Sequence, residues 1–282
     1  MNILETIIAS KQDEVARRKS ATSVQELEQQ PLFSRQPLSA RQALTSPTST
    51  GIIAEFKRKS PSKGIINDSV SVAETTTGYV RSGAACLSVL TDEPFFGGTP
   101  ADLLEARAAN SQTPIIRKDF IVDPYQITEA RALGADFILL IASCLSPAQV
   151  GEFSQFAHEL GLEVLLEIHD ETELVHIQPG VDLVGVNNRN LKTFVTDIDT
   201  SLRLAGQIPA NYVKVSESGL QKAESIHLLR QAGYQGFLIG ETFMKAASPA
   251  EALQTFVNEL SFPSNFPSLN TVYHESESMR NA

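Results

Sequence analysis

The chain has 282 residues, 42% hydrophobic and 20% charged, an ordinary globular composition sufficient for one large domain or two small ones. A formal net charge of -10 argues against a general nucleic-acid binder, and no apolar run approaches the length of a bilayer span. The two cysteines, Cys86 and Cys144, lie far apart in apolar surroundings, so neither a disulfide framework nor a thiolate zinc site is expected.

The first element is helical. Residues 1–48 carry two capping patterns, Ser23 with Glu26 and Ser39 with Gln42. Glu5, Lys11, Asp13 and Glu14 interrupt the apolar pattern of residues 1–19, so this is not a signal peptide and a soluble, cytoplasmic protein is expected. One grammar then repeats: apolar run, polar strand end, helix cap, amphipathic helix, glycine. The expected strands are 51–57, 85–90, 114–118, 136–141, 162–167, 181–187, 212–216 and 236–240. Helix starts are read at Ser71 with Glu74, Thr99-Pro100, Asp123-Pro124, Ser146-Pro147, Asp170 with Glu173, residues 198–206, Ser218-Gly219 and Ser248-Pro249. Strands alternating with helices are parallel βαβ units, and eight of them make an α/β fold, a (β/α)8 TIM barrel. A doubly wound open sheet is the alternative, but no glycine-rich dinucleotide fingerprint follows the first strand. The expected organisation is an N-terminal helical extension (1–48) packing across a barrel end, a catalytic barrel (49–262) and a Ser/Asn/Pro-rich disordered tail (263–282).

Active sites of such barrels sit at the carboxyl ends of the strands. The first strand runs into Glu55-Phe56-Lys57-Arg58-Lys59-Ser60-Pro61-Ser62, and alternation sets Glu55, Lys57 and Lys59 on one face. Later strand ends supply Lys118 with Asp119 and Phe120, then Glu167, Asn187 with Arg189, Glu217 with Ser218, and Gly240 with Glu241. Acids beside ammonium groups suit an anionic substrate that must exchange protons. Glu217 either touches substrate or orients a lysine. His169 reads as a loop or cap residue, because Glu167 has the better inward position. Ser218-Gly219 at a helix start, Gly240 and Ser60 suit a phosphate group, through close backbone approach and free N–H groups. Carboxylates interleaved with lysines, and no His- or Cys-rich pattern, point to chemistry without a metal or cofactor. Proton transfer on an activated carbonyl or imine, or a Schiff base, remains open.

The chain resembles the indole-3-glycerol phosphate synthase family over residues 1–262. The carriers are Ile53-Ala54-Glu55-Phe56-Lys57-Arg58-Lys59-Ser60-Pro61-Ser62, Phe95-Phe96-Gly97-Gly98, Arg117-Lys118-Asp119-Phe120, Leu166-Glu167-Ile168-His169, Gly185-Val186-Asn187-Asn188-Arg189-Asn190-Leu191, Ser216-Glu217-Ser218-Gly219 and Leu238-Ile239-Gly240-Glu241. Single elements are weak, but all seven in order are specific. The resemblance implies ring closure of 1-(2-carboxyphenylamino)-1-deoxyribulose 5-phosphate with loss of carbon dioxide and water. It implies Lys118 as general acid, with Lys57 and Glu167 in carboxylate binding and proton transfer and Glu55 orienting the lysines. Asn187 and Arg189 would bind sugar hydroxyls or the carboxylate. Phe120, Pro61 and Leu191 would form an aryl slot, and Ser60, Gly219 and Gly240 would hold phosphate. Some members have serine where this chain has Glu241, so the backbone beside Gly240, not that side chain, is the expected contact.

The implied partner is a small-molecule phosphosugar-anthranilate, with no nucleic acid or membrane, on a monomer or weak homo-oligomer. No second barrel pattern follows residue 262, so a fusion to the preceding isomerase is not expected. A class I aldolase-type enzyme with a Schiff base on Lys118 or Lys57 is one rival. A non-catalytic phosphosugar-binding barrel is another. A phosphoribosylanthranilate isomerase is disfavoured, because no Cys–Asp pair ends strands 1 and 6.

Overall fold

The structure is a computed structural model that describes residues 3–190 and 195–261. Eight strands form the frame: β1 (Ile52–Phe56), β2 (Cys86–Leu90), β3 (Ile115–Lys118), β4 (Phe137–Ile141), β5 (Glu163–Ile168), β6 (Leu183–Asn187), β7 (Val213–Glu217) and β8 (Gly236–Ile239). Each pairs in parallel with its neighbours in sequence, and β8 pairs with β1 to close a barrel. The fold is therefore the TIM barrel expected from the repeated strand–helix pattern. Among the described residues no helix is long and apolar enough to cross a membrane.

Among the described residues, twelve helices accompany the strands: α1 (Ile3–Ala21), α2 (Val24–Glu28), α3 (Ala40–Thr45), α4 (Val72–Arg81), α5 (Glu93–Phe96), α6 (Pro100–Ala109), α7 (Tyr125–Ala132), α8 (Pro147–Glu159), α9 (Asp199–Leu204), α10 (Ala223–Gln231), α11 (Glu241–Met244) and α12 (Pro249–Ser261). Several starts follow their sequence signals. Thr99 with Asp102 and Ser146 with Gln149 form full capping boxes with Pro at the first helical position.

Two starts differ. Asp170 accepts from Thr172 N at 2.8 Å, but the Glu173 carboxylate reaches back to His169 N at 2.7 Å rather than to Asp170. With that reciprocal bond diverted, residues 171–176 wind as a 3₁₀ segment and not as an α-helix. Ser218-Gly219 does not open α10, which begins four residues later. Both residues have left-handed backbone, with φ of 68° and 76°, so the chain turns there before the helix starts.

Strand alternation sorts the side chains. Ile53, Cys86, Ile116, Phe137, Leu165, Leu183, Val213 and Leu238 fill the barrel interior, while Ile52, Ala54, Leu87, Ile115 and Ile138 join the layer beneath the outer helices. Ala40 and Leu44 of α3 pack into the interior cluster and cover the amino-terminal end of the strands. Ser39 Oγ donates to Glu163 at 2.5 Å, and Arg35 pairs with Asp136 at 2.6 Å, which ties the chain to that end.

The helix α1 lies at the opposite end. Its Lys11, 1% exposed, pairs with Asp119 at 2.8 Å, Asp92 at 3.1 Å and Glu14 at 3.0 Å. Burial disfavours the Lys11 charge, but Asp119 and Asp92 outweigh it and hold the ammonium protonated. Lys11→Met keeps the stem and leaves both aspartates without this cation. It should cost about 3–5 kcal/mol in urea unfolding at neutral pH. A loss below about 1 kcal/mol would show that α1 is not anchored through this charge.

Candidate active site

The inward rows that begin as Ile53, Ile116, Leu165, Leu183 and Val215 end at the carboxyl side as Glu55, Lys118, Glu167, Asn187 and Glu217. A period of two therefore places an ionisable layer directly on the apolar one. Above it opens a cavity of about 420 Å³. Glu55, Lys57, Ser60, Pro61, Lys118, Phe120, Glu167, Asn187, Arg189, Glu217, Ser218, Gly219 and Gly240 all line it. Leu191, the remaining expected site residue, lies outside the described residues.

Lys118 stands at the centre. Its Nζ is 3.4 Å from Glu167 Oε2 and 3.7 Å from Glu217 Oε2. Burial works against its charge, but Glu167, Glu217 and Glu55 outweigh burial and push its pKa above the usual lysine value. Glu55 bonds Lys57 Nζ at 2.6 Å and accepts from Ser88 Oγ at 3.2 Å. Against its own burial, Lys57 and Lys118 hold it below the ordinary carboxyl range.

Glu167 and Glu217 differ despite sharing a lysine. Burial opposes both charges. For Glu167, Lys118, His169 and Asn187 prevail and keep it ionised. For Glu217, the neighbouring Glu167 adds to burial and outweighs Lys118, so its pKa is raised. Among the described residues, no three His, Cys, Asp or Glu side chains come together to hold a metal ion. The carboxylates of this mouth face ammonium groups instead.

Several loop residues depart from their expected positions. Lys59 does not join Glu55 and Lys57: it belongs to a two-residue ribbon pairing Lys59–Ser60 with Gly64–Ile65, and its Nζ donates to Pro94 O at 2.9 Å. The strand has ended at Phe56, so alternation no longer governs residue 59. Arg58 turns to Asp102, at 2.6 Å. Glu241 lines the cavity, facing Arg189 at 3.6 Å and Lys63 at 3.9 Å, where only the backbone beside Gly240 was expected to matter. His169 is a loop residue outside the lining, yet its ring lies 3.2 Å from Glu167.

The turn after β7 is held in its left-handed form. Asn188 Nδ2 donates to Ser218 O at 3.1 Å, and Thr242 Oγ1 to Leu220 O at 3.0 Å. A Cβ on Gly219 would come within 2.5 Å of Thr196, and one on Gly240 within 2.5 Å of Glu55. Both glycines are set by close approach.

Sequence reasoning missed one wall. Ile3, Leu4 and Ile7 of α1 line the cavity with Leu90, Phe96 and Ile141. Phe96 and Phe120 stand with ring centroids 5.9 Å apart. The apolar spacing of α1 is visible in sequence, but which barrel end it meets is not. Lys63 and Lys245 add cations on the side of Ser218 and Gly240. Lys63 belongs to the cationic cluster 57–63 that follows β1, whereas no strand-end rule reaches Lys245, just past α11.

Fold and site together define a barrel protein with an acid–base cluster at the carboxyl ends of its strands, between an aromatic wall and a cationic one. Comparison with known proteins specifies it further. A family model for indole-3-glycerol phosphate synthase matches residues 4–256. A relative from Bacteroides thetaiotaomicron named indole-3-glycerol phosphate synthase is 50% identical over 259 residues, covering 92% of this chain and 99% of that one. One of the same name from Bordetella pertussis is 44% identical, covering 91% and 99%. The chain belongs to the indole-3-glycerol phosphate synthase family. Its fold is also similar to a solved 3-hexulose-6-phosphate synthase from Salmonella typhimurium, at TM-score 0.57 and 13% identity, covering 75% of this chain and 98% of that one.

The raised Glu217 pKa has a consequence for stability. The folded state binds a proton that the unfolded chain releases above the ordinary value of 4.5. This contribution is complete below that pH and is lost as pH rises, until Glu217 ionises in the folded state. Each unit of that window costs the wild type about 1.4 kcal/mol. Glu217→Gln should flatten the fall, read as urea midpoints at successive pH values above 5. Parallel curves for variant and wild type would rule out the raised Glu217 pKa.

Proposed function

We propose that this chain is an indole-3-glycerol phosphate synthase that closes the indole ring of 1-(2-carboxyphenylamino)-1-deoxyribulose 5-phosphate, using Lys118 as general acid. The observation that carries the reading is the Lys118 ammonium, held protonated among Glu167, Glu217 and Glu55 at the floor of a cavity with aromatic and cationic walls. The family membership names the substrate.

The ring carbon bearing the carboxylate attacks the ketone, and Lys118 protonates the ketone oxygen as the bond forms. Carbon dioxide leaves and the ring regains aromaticity. The new hydroxyl then departs as water, taking a second proton, while the adjacent methylene loses one. Glu167, held ionised, is suited to accept a proton. Lys57 binds the substrate carboxylate and serves as an acid in dehydration, and Glu55 fixes it at 2.6 Å. Asn187 and Arg189 hold sugar hydroxyls or the carboxylate. Phe120 and Pro61, joined by Phe96 and α1, take the aryl ring. Ser60, Ser218, Gly219 and Gly240 receive the phosphate, with Lys63 and Lys245 near. The proposed assembly is a monomer or weak homo-oligomer. A phosphorylated substrate fits a cytoplasmic enzyme.

The charge state of Lys118 disfavours the Schiff-base rival. An amine nucleophile needs its pKa lowered, and the three carboxylates act the other way. Mixing the protein with the substrate, without metal or cofactor, should give a growing indole fluorescence. Binding without that signal would favour a non-catalytic phosphosugar-binding barrel.

Lys118→Ala should lower kcat by about 10²-fold or more while binding is largely kept, measured by the same fluorescence and by substrate titration. Near-normal turnover would remove Lys118 from the acid role. Gly240→Ala should drive a methyl group into Glu55, which lies 2.5 Å from that position, and lower kcat with the barrel intact by circular dichroism. Unchanged kinetics there would mean that the Glu55 position is not critical.

A further inference from the structure

Glu167 has two oxygens in different company. Oε2 faces Lys118 at 3.4 Å, and Oε1 faces His169 Nε2 at 3.2 Å. His169 follows Glu167 by two residues, one past the end of β5, where the chain leaves the strand and sets the ring against Glu167. Its side chain is 10% exposed and is absent from the cavity wall. Its place is behind Glu167 and not on the cavity wall.

The other side of the ring is built to hold it. Nδ1 lies 3.1 Å from Glu173 Oε2, and the same oxygen accepts His169 N at 2.7 Å. Glu173 Oε1 accepts from Ser143 Oγ at 2.5 Å. This is where the expected capping carboxylate went: it fixes a ring instead of a helix start. A carboxylate beside each ring nitrogen favours the imidazolium, the form that has an N–H on both. Nε2 is buried without an aligned hydrogen bond, and Glu167 is the carboxylate within ion-pair distance. The ring thus pulls on Glu167 from behind while Lys118 pulls from the cavity.

We propose that His169 is a positioning residue for Glu167: clamped by Glu173 and Ser143, its imidazolium holds Glu167 ionised and oriented toward Lys118. The inference rests on the synthase reading for its kinetic consequence, but not for its charge state. The charged groups near the ring support it. Burial lowers the His169 pKa, but Glu167 and Glu173 raise it to about 10. Asp170 is held ionised, mainly by Thr172. The Cys144 thiol is pushed up to about 12, mainly by burial, so it stays neutral. Lys118 and Glu217 bear on the ring through Glu167.

The first test needs no turnover. In protein labelled with ¹⁵N-histidine, the His169 signals are assigned by their loss in His169→Gln. Both ring nitrogens should remain protonated at pH 8, and titration near the ordinary 6.5 would overturn the proposal. The second test is kinetic. His169→Gln should lower kcat tenfold or more with KM within threefold. Loss of the cation raises the Glu167 pKa, so the acid limb of the kcat profile should move to higher pH. Glu173→Gln should lower the His169 pKa and bring the alkaline limb to lower pH; it also carries the test if His169→Gln fails to fold. Wild-type kcat and pH limbs in both variants would overturn the proposal. A wild-type protein that does not turn over the substrate would sink the synthase reading alone, since the ring signals still report the clamp.

Discussion

A closed ring of eight parallel strands gives alternate side chains only two destinations, the barrel interior or the layer under the helices. The chemistry of this protein depends on that restriction. On β1, β3, β5, β6 and β7 the last inward positions are Glu55, Lys118, Glu167, Asn187 and Glu217, set directly on the apolar interior. Glu55, Glu167 and Glu217 are buried there, and Lys118 and Asn187 are half-buried. A buried charge must be neutralised nearby or be lost. Lys118 keeps its proton because carboxylates surround it, while Glu217 takes a proton because burial, with Glu167 beside it, outweighs Lys118. The same burial thus sets one group as an ammonium and another as a neutral acid.

The N-terminal segment extends this logic to both barrel ends. At the amino-terminal end, α3 places Ala40 and Leu44 under the interior and Ser39 on Glu163. At the carboxyl end, α1 supplies an apolar wall to the cavity and sinks Lys11 between Asp92 and Asp119. Asp119 also bonds Arg117 at 3.0 Å and Phe120 N at 2.9 Å. The backbone that carries Lys118 and Phe120 is therefore braced by a helix more than ninety residues away in sequence. Burial opposes the Asp119 charge, yet Arg117 and Lys11 lower its pKa to about 2, so this brace persists across the range in which the enzyme would work.

Backbone shape completes the cationic side. Ser218 is the one non-glycine with left-handed φ among the described residues, and a bond from Asn188 holds it there. Glycine at 219 and 240 removes the Cβ atoms that would strike Thr196 and Glu55. Glu241 faces Arg189 and Lys63 across this region. A phosphate would meet backbone N–H groups and these cations, with Glu241 competing for the same partners.

The strand-end residues were legible in sequence because period-two alternation and the helix punctuation are local: Ile53 to Glu55 or Leu165 to Glu167 needs no knowledge of the rest of the chain. The same local signals specified the barrel and the resemblance specified the family. Local reasoning failed where the partner was distant or the backbone left its regular form. Lys59 was assigned inward as if the strand continued, but the strand stops at Phe56 and the ribbon redirects it to Pro94. Asp170 with Glu173 had the spacing of a cap, but Glu173 was captured by His169 and Ser143. Ser218-Gly219 looked like a helix start because a turn and a helix entry use the same residues. Ile3, Leu4 and Ile7 carried an apolar pattern without an address. The sequence by itself determined which residues each strand presents at its carboxyl end, since that follows from repeating backbone geometry. Only the tertiary structure decided which groups are charged and which face them, because a pKa depends on burial and on neighbours brought together from separate strand ends.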